Sequence, residues 1–168
     1  MTSEPEARFR AVFSHMAAVT AYARRRGSAD AEALAAEVMT IAWRRLDRIP
    51  RDDARPWLYA TARNLLLEET RKRRRRGHTK GEVSVPAAEL PELDGELRRA
   101  LLALSPLDRE ALLLVAWEDL TPAQAARALG INASAFRVRL LRARRRFCAA
   151  LEHDDVAVAV PRLDVEGS

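Results

Sequence analysis

Twenty residues, from Thr121 to Leu140, restrict the fold of this chain more than any others. Thr121 and Gln124 have capping-box spacing, in which each side chain satisfies the other residue's backbone amide. Pro122 between them suits the first turn of a helix, where its missing N–H would have no partner. Gly130 ends that helix and Asn132 can cap a second one after a very tight turn. Ala126, four residues before the glycine, is small enough to let the two helices approach closely. The pattern is a helix-turn-helix, whose second helix fits the major groove of DNA.

On that second helix Phe136, Leu140, Ala143, Phe147 and Leu151 follow the positions i, i+4, i+7, i+11 and i+15 and define the buried face. At about 100° per residue, Ser134, Val138, Leu141, Arg142 and Arg145 project away from it. Arg137 with Arg144, and Arg139 with Arg146, lie on the two flanks. Outward residues near the helix start can reach base edges, while flanking arginines suit phosphates, which supply affinity and salt dependence. Six arginines and no acid between Arg137 and Arg146 argue against a plain solvated face, which usually mixes signs.

Upstream, Phe9, Val12, Phe13, Met16, Thr20 and Ala23 recur at three-and-four spacing and predict one helix ending near Gly27. Ser28 or Asp30 can cap the next, which carries Leu34, Val38, Ile41, Ala42 and Leu46 on one side and stops before Pro50. A third starts around Pro56 and runs through Trp57, Leu58, Thr61, Leu65 and Leu66 into six consecutive basic residues, Arg71 to Arg76. Mutual repulsion should fray that end unless phosphates or acids lie alongside. Helical spacing resumes with Leu97, Leu101 and Leu104, and Ser105-Pro106 restarts it for a helix carrying Leu107, Ala111, Leu114 and Val115. With few aromatic residues and no strand-like alternation, the expected fold class is all-α.

Residues 77–95 hold three of the six glycines and two of the prolines with little apolar periodicity, and read as a flexible linker. The expected organisation is therefore two small helical domains, residues 1–76 and 96–151, followed by an acidic tail, 152–168, read as disordered. Charge follows the same division. Residues 1–76 carry 17 basic and 10 acidic groups and residues 96–151 carry 10 and 5, whereas the linker and the tail are net acidic. Two positive surfaces on a tether suit a polyanion held at two places, and nucleic acid is the commonest such partner.

Both blocks resemble one family, in the right order. Arg109-Glu-Ala-Leu-Leu-Leu-Val-Ala-Trp-Glu-Asp-Leu120, the helix-turn-helix and Phe136-Arg-Val-Arg-Leu-Leu-Arg-Ala-Arg-Arg-Arg146 are similar to sigma region four, which in the family binds the minus-35 promoter element. Asp30-Ala-Glu-Ala-Leu-Ala-Ala-Glu-Val-Met-Thr-Ile-Ala-Trp-Arg-Arg45, then Arg55-Pro-Trp-Leu-Tyr-Ala-Thr-Ala-Arg-Asn64 and the arginine run, resemble sigma region two. In the family that domain grips the clamp helices of RNA polymerase and opens the minus-10 element. With only a short linker between them, the resemblance is to sigma-70 factors of the extracytoplasmic-function type. Ala33 and Ala36 stand where the family commonly has an acid and a glutamine.

The resemblance implies core RNA polymerase and promoter DNA as partners, and regulation by an anti-sigma protein. Leu34, Glu37, Thr40, Trp43 and Arg44 would lie on or beside the polymerase-facing helix. Trp57, Tyr59, Arg63 and Asn64 would serve strand opening at minus-10, with Arg71, Arg73 and Arg74 beside the backbone. Asn64 offers both a donor and an acceptor to an unstacked base. Ser134, Arg137, Val138, Arg139, Leu141, Arg142, Arg144 and Arg145 would meet the minus-35 duplex.

The rival reading is a helix-turn-helix regulator, or a sigma-like protein that does not bind core polymerase. An enzyme is not expected, since His15, His78 and His153 have no matching nucleophile or ligand cluster and no glycine-rich phosphate loop occurs. No cofactor or metal is expected either, and a single cysteine, Cys148, allows no intrachain disulfide. Without a spanning run or a signal-like start, the expected location is cytoplasmic with no membrane insertion.

Overall fold

In a computed structural model, residues 3–77, 93 and 95–158 are described, side chains of 153–158 excepted. Their regular elements are eight α-helices and one 3-10 turn: α1 Glu4–Phe13, α2 Met16–Arg25, α3 Ala31–Arg44, the turn Leu46–Arg48, α4 Arg55–Arg75, α5 Gly95–Leu102, α6 Pro106–Ala116, α7 Pro122–Leu129 and α8 Ala133–Val158.

The single helix expected over Phe9–Gly27 is two. It breaks at Ser14 and His15, where the Ser14 hydroxyl donates to the Ala11 carbonyl at 2.6 Å and the His15 amide turns back to Val12. Local hydrogen bonding by serine competes with the helical ladder, and an unbroken apolar stripe cannot reveal it. The break lets Val19, Tyr22 and Ala23 enter the core, while Phe13 stays exposed.

Asp30 caps α3 by accepting from the Ala33 amide at 2.9 Å, and the helix buries Leu34, Ala35, Val38, Met39 and Ala42. It ends before Pro50, with Ile49 inserted into the core and its carbonyl accepting from Arg8 of α1 at 2.6 Å. Helix α4 buries Leu58, Tyr59, Ala62, Leu66 and Thr70 along one stripe. Each large side chain of this kind contributes about 1.5–3 kcal/mol on burial. The arginine run stays helical to Arg75 because acids one turn back offset the repulsion: Glu68 pairs with Lys72 and Glu69 with Arg73, each at 3.1 Å. Gly77, at φ +78°, closes the helix.

In the second half, Arg109 reaches back to the end of α5 and donates to the carbonyls of Leu101, Leu102 and Leu104 at 2.8–3.2 Å. Carbonyls at a helix end lack amide partners one turn on; the Leu104 amide reaches the Leu101 carbonyl at 3.2 Å, and the buried guanidinium supplies further donors there. Burial in turn pulls its pKa below the ordinary arginine value. Helices α5, α6 and α7 all pack on α8.

The two helical domains also touch each other. Helix α7 lies against α4, and one apolar core runs from Val19, Leu58 and Leu66 to Leu114, Leu120, Ala125 and Phe136. Most of the expected linker, residues 77–95, falls on 78–92 and 94, outside the described residues, and its last residue, Gly95, opens α5. The tail expectation is corrected in part, because α8 continues as helix to Val158; residues 159–168 lie outside the described residues.

Candidate nucleic-acid interface

The turn between α7 and α8 is built as the capping residues dictate. Thr121 and Gln124 satisfy each other's amides at 3.3 and 2.7 Å. Gly130 takes the left-handed conformation at φ +68°, and the next amide, Ile131, bonds back to Ala126 at 3.1 Å. Asn132 then caps α8 through the Ala135 amide at 2.7 Å. Ala125 and Ala126 are buried where the helices meet.

With Phe136, Leu140 and Ala143 buried, the opposite face of α8 is open. Ser134, Arg137, Val138, Leu141, Arg142, Arg144 and Arg145 are exposed on it. Val138 and Leu141 are 54% and 51% exposed, two apolar side chains within a field of arginine. Arg137, Arg142, Arg144 and Arg145 make no ion pair among the described residues, so their charge is free to meet phosphate. Arg139 differs. It donates to one Asp108 oxygen at 2.7 Å while Arg146 donates to the other at 3.1 Å, so the flank they share holds α8 against α6.

On the first half, an open cleft of about 420 Å³ between α3 and α4 is lined by Ile41, Arg44, Arg45, Trp57, Ala60, Thr61, Asn64 and Leu65. It combines an aromatic wall, an amide able to donate and accept, and two guanidinium groups at the rim. That chemistry suits an unstacked base with its phosphate. Arg63 is half-buried on α4, and Arg71 and Arg74 follow on the same helix.

Tyr59 is not at that cleft: only 4% exposed, it stacks on Tyr22 with ring centroids 4.9 Å apart. Arg73 is engaged too, donating to the Gly27 carbonyl at 3.0 Å as well as to Glu69. The outer face of α3 carries Glu37, Thr40, Trp43 and Arg44, all exposed, with the Phe9 ring edge-on to Trp43 at 5.0 Å. Leu34 points the other way, into the core, and cannot share that face.

Sequence reasoning missed a charged cluster where the halves meet. Arg26, 3% exposed, donates to Glu110 from Nε at 3.0 Å and to Glu118 from Nη1 at 2.7 Å. Its guanidinium also lies 3.8 Å from the Tyr22 ring centroid, while the Tyr22 hydroxyl donates to Glu110 at 2.8 Å. Arg25 completes the cluster, donating to Glu118 at 2.6 Å. Burial works against the charged form of Arg26, but Glu110, Tyr22 and Glu118 outweigh it and raise its pKa above the ordinary value. At the edge of the interface Gln124 donates to Asp53. Burial opposes the charge on Asp53, yet hydrogen bonds from the Arg55 backbone and side chain hold its pKa below the usual range.

The geometry of both halves has its counterpart in known proteins. Residues 12–76 match the family model described as Sigma-70 region 2, and residues 94–147 match Sigma-70, region 4. The RNA polymerase sigma factor NccH of Alcaligenes xylosoxydans xylosoxydans is 30% identical over 141 residues, covering 76% of each chain. This chain belongs to the sigma-70 family, in its extracytoplasmic-function group. Such sigma factors act in promoter recognition and transcription initiation. Among solved structures, this sigma factor is similar to RpoE in complex with the anti-sigma factor NepR from Bartonella quintana. That match has a TM-score of 0.65 and 26% identity, covering 85% of this chain and 95% of that one. It is also similar to CnrH in complex with the cytosolic domain of CnrY, with a TM-score of 0.61 and 25% identity, covering 87% and 88%. No helix among the described residues is long and apolar enough to cross a membrane.

Proposed function

We propose that the protein binds core RNA polymerase in the cytoplasm through the exposed face of α3, Glu37, Thr40, Trp43 and Arg44. Polymerase would supply catalysis, and the sigma factor would choose where it starts. The cleft with Trp57 and Asn64 would receive a base leaving the minus-10 stack, with Arg63, Arg71 and Arg74 along the backbone. The outer face of α8 would hold the minus-35 duplex, Arg137, Arg142, Arg144 and Arg145 on phosphates and Ser134, Val138 and Leu141 toward base edges. The observation that carries this reading is the second face: four arginines without an ion pair among the described residues, around an exposed apolar centre, on the second helix of a helix-turn-helix. The similarity to RpoE, solved with the anti-sigma factor NepR, and to CnrH, solved with the cytosolic domain of CnrY, supports an anti-sigma protein for this one as well.

The test has two arms. In gel filtration the purified protein is expected to co-elute with core polymerase, and Trp43→Ala with Arg44→Ala to weaken that association without loss of helix by circular dichroism. A short minus-35 duplex is expected to bind the α8 face, with Arg137→Ala and Arg142→Ala reducing affinity. Duplex binding without any polymerase association favours the rival reading of a regulator independent of polymerase.

A further inference from the structure

Opposite the stripe that buries Phe136, Leu140 and Ala143, the residues Ser134, Val138, Leu141 and Arg145 follow i, i+4, i+7 and i+11 along α8. This second stripe faces solvent, and its centre is apolar. Val138 and Leu141 are adjacent on it, and each keeps about half of its surface uncovered. Arginines surround the pair: Arg137, Arg142, Arg144 and Arg145 are exposed and make no ion pair among the described residues.

That charge favours a polyanion over a protein partner, because guanidinium groups on both sides suit the phosphates that wall a groove. In a helix-turn-helix the first turns of the second helix meet the base edges of the major groove. Val138 and Leu141 lie within the first three turns of α8, after the Asn132 cap. Rotation of the helix about its own axis is also fixed. Arg139 and Arg146 tie one flank of α8 to Asp108 of α6, so the apolar pair stays turned outward.

What such a pair can read is narrow. Neither side chain donates or accepts a hydrogen bond, so the donor and acceptor pattern of the base edges is closed to both. The apolar mark that a base pair presents in the major groove is the C5-methyl group of thymine. Any other base would place its amino, carbonyl or ring-nitrogen group against carbon, where it loses water and gains no partner. Spacing fits two such marks. Residues i and i+3 are about 4.5 Å apart along a helix axis, close to the roughly 3.4 Å between successive bases of one strand.

We propose that Val138 and Leu141 select thymine in the minus-35 duplex, each covering the C5-methyl group of one of two neighbouring thymines. The proposal rests on the reading of α8 as the duplex-binding face and adds which chemical group that face reads. The arginines supply affinity at any sequence, and the apolar pair supplies choice. Because the contact is to the methyl group and not to the rest of the base, 5-methylcytosine satisfies it and uracil does not.

The test uses the full-length chain and short duplexes enriched from a random pool by binding to it. In an enriched duplex each thymine is replaced in turn by uracil, which removes the methyl group and keeps every hydrogen-bonding group. Two neighbouring thymines should each lose about fourfold in affinity, the scale of one methyl group withdrawn from apolar contact. Val138→Ala should make one of these positions insensitive and Leu141→Ala the other, both at unchanged helix content. With a C·G pair at either position, methylating that cytosine at C5 should raise wild-type affinity by a similar factor and leave the matching variant unchanged. Uracil tolerated at every position, or the same sensitivity in wild type and both variants, overturns the thymine contact. Uracil tolerance with undiminished duplex binding by both variants would assign the pair to a protein partner. Failure to enrich any duplex would instead refute the DNA-binding reading of α8, and the proposal with it.

Discussion

Arg26 Nη1 donates to Glu118 Oε1 across 2.7 Å with both side chains almost wholly buried, and so fastens the end of α2 to the loop that follows α6. The continuous apolar core makes the two regions one cooperative unit. Denaturant unfolding of the wild-type protein, followed by circular dichroism, should therefore show a single transition. Arg26→Met leaves Glu110 without its cation and Glu118 with Arg25 alone, and should split it into two. Two transitions in the wild type would contradict the shared core.

Both tyrosines of the chain, Tyr22 and Tyr59, lie in this interface. Burial raises both pKa values, and the nearby carboxylates, Glu110 for Tyr22 and Glu118 for Tyr59, raise them further. A group whose folded pKa is raised contributes stability that is present below its unfolded value, about 10 for tyrosine, and lost as pH rises above it. Tyrosinate absorbance should therefore lag behind that of a free tyrosine and rise together with loss of the closed structure. Full ionisation near pH 10 with helix content by circular dichroism intact would contradict the buried placement.

Two arginines of α8 separate affinity from stability. Arg142→Ala, at an exposed side chain with no ion pair among the described residues, should weaken DNA binding alike across sequences and lower the slope of log affinity against log salt by about 0.9. Arg139→Ala should instead cost about 1.5 kcal/mol of stability in denaturation, since it removes one charged hydrogen bond from the nearly buried carboxylate of Asp108. Equal and purely electrostatic effects at both sites would contradict the distinction.

Gly130→Ala meets no atom within 4 Å of the added methyl group. Its expected cost, about 1 kcal/mol by thermal or chemical denaturation, comes from the left-handed backbone at φ +68° alone.

Local chemistry was legible in the sequence and distant pairing was not. The Thr121–Gln124 box, Gly130, the Asn132 cap and the buried stripe from Phe136 to Ala143 were readable because each depends on neighbours within a turn or two. The open face of α8 followed from the same periodicity. At Ser14 the apolar spacing runs straight through the break, so nothing in that spacing marks it. Nothing near Arg25 and Arg26 in the sequence marks their pairing, because the carboxylates they meet lie more than eighty residues away. For the same reason Tyr59 was assigned to strand opening and Leu34 to the polymerase face, although the fold buries both.

Asn64 is the exposed amide at the α3–α4 cleft. Asn64→Ala should slow promoter opening, followed by permanganate reactivity of unpaired thymines, while minus-35 duplex affinity stays unchanged. Loss of both together would mean that the variant has disturbed the fold.

The most direct test is run-off transcription with purified core polymerase, with and without the protein, on its own upstream DNA and a pool of genomic promoters. A sigma factor gives discrete transcripts that depend on its presence and are lost when Arg137 and Arg142 are both replaced by Ala. No protein-dependent transcript from any template, together with failure to co-elute with core polymerase, would contradict that role.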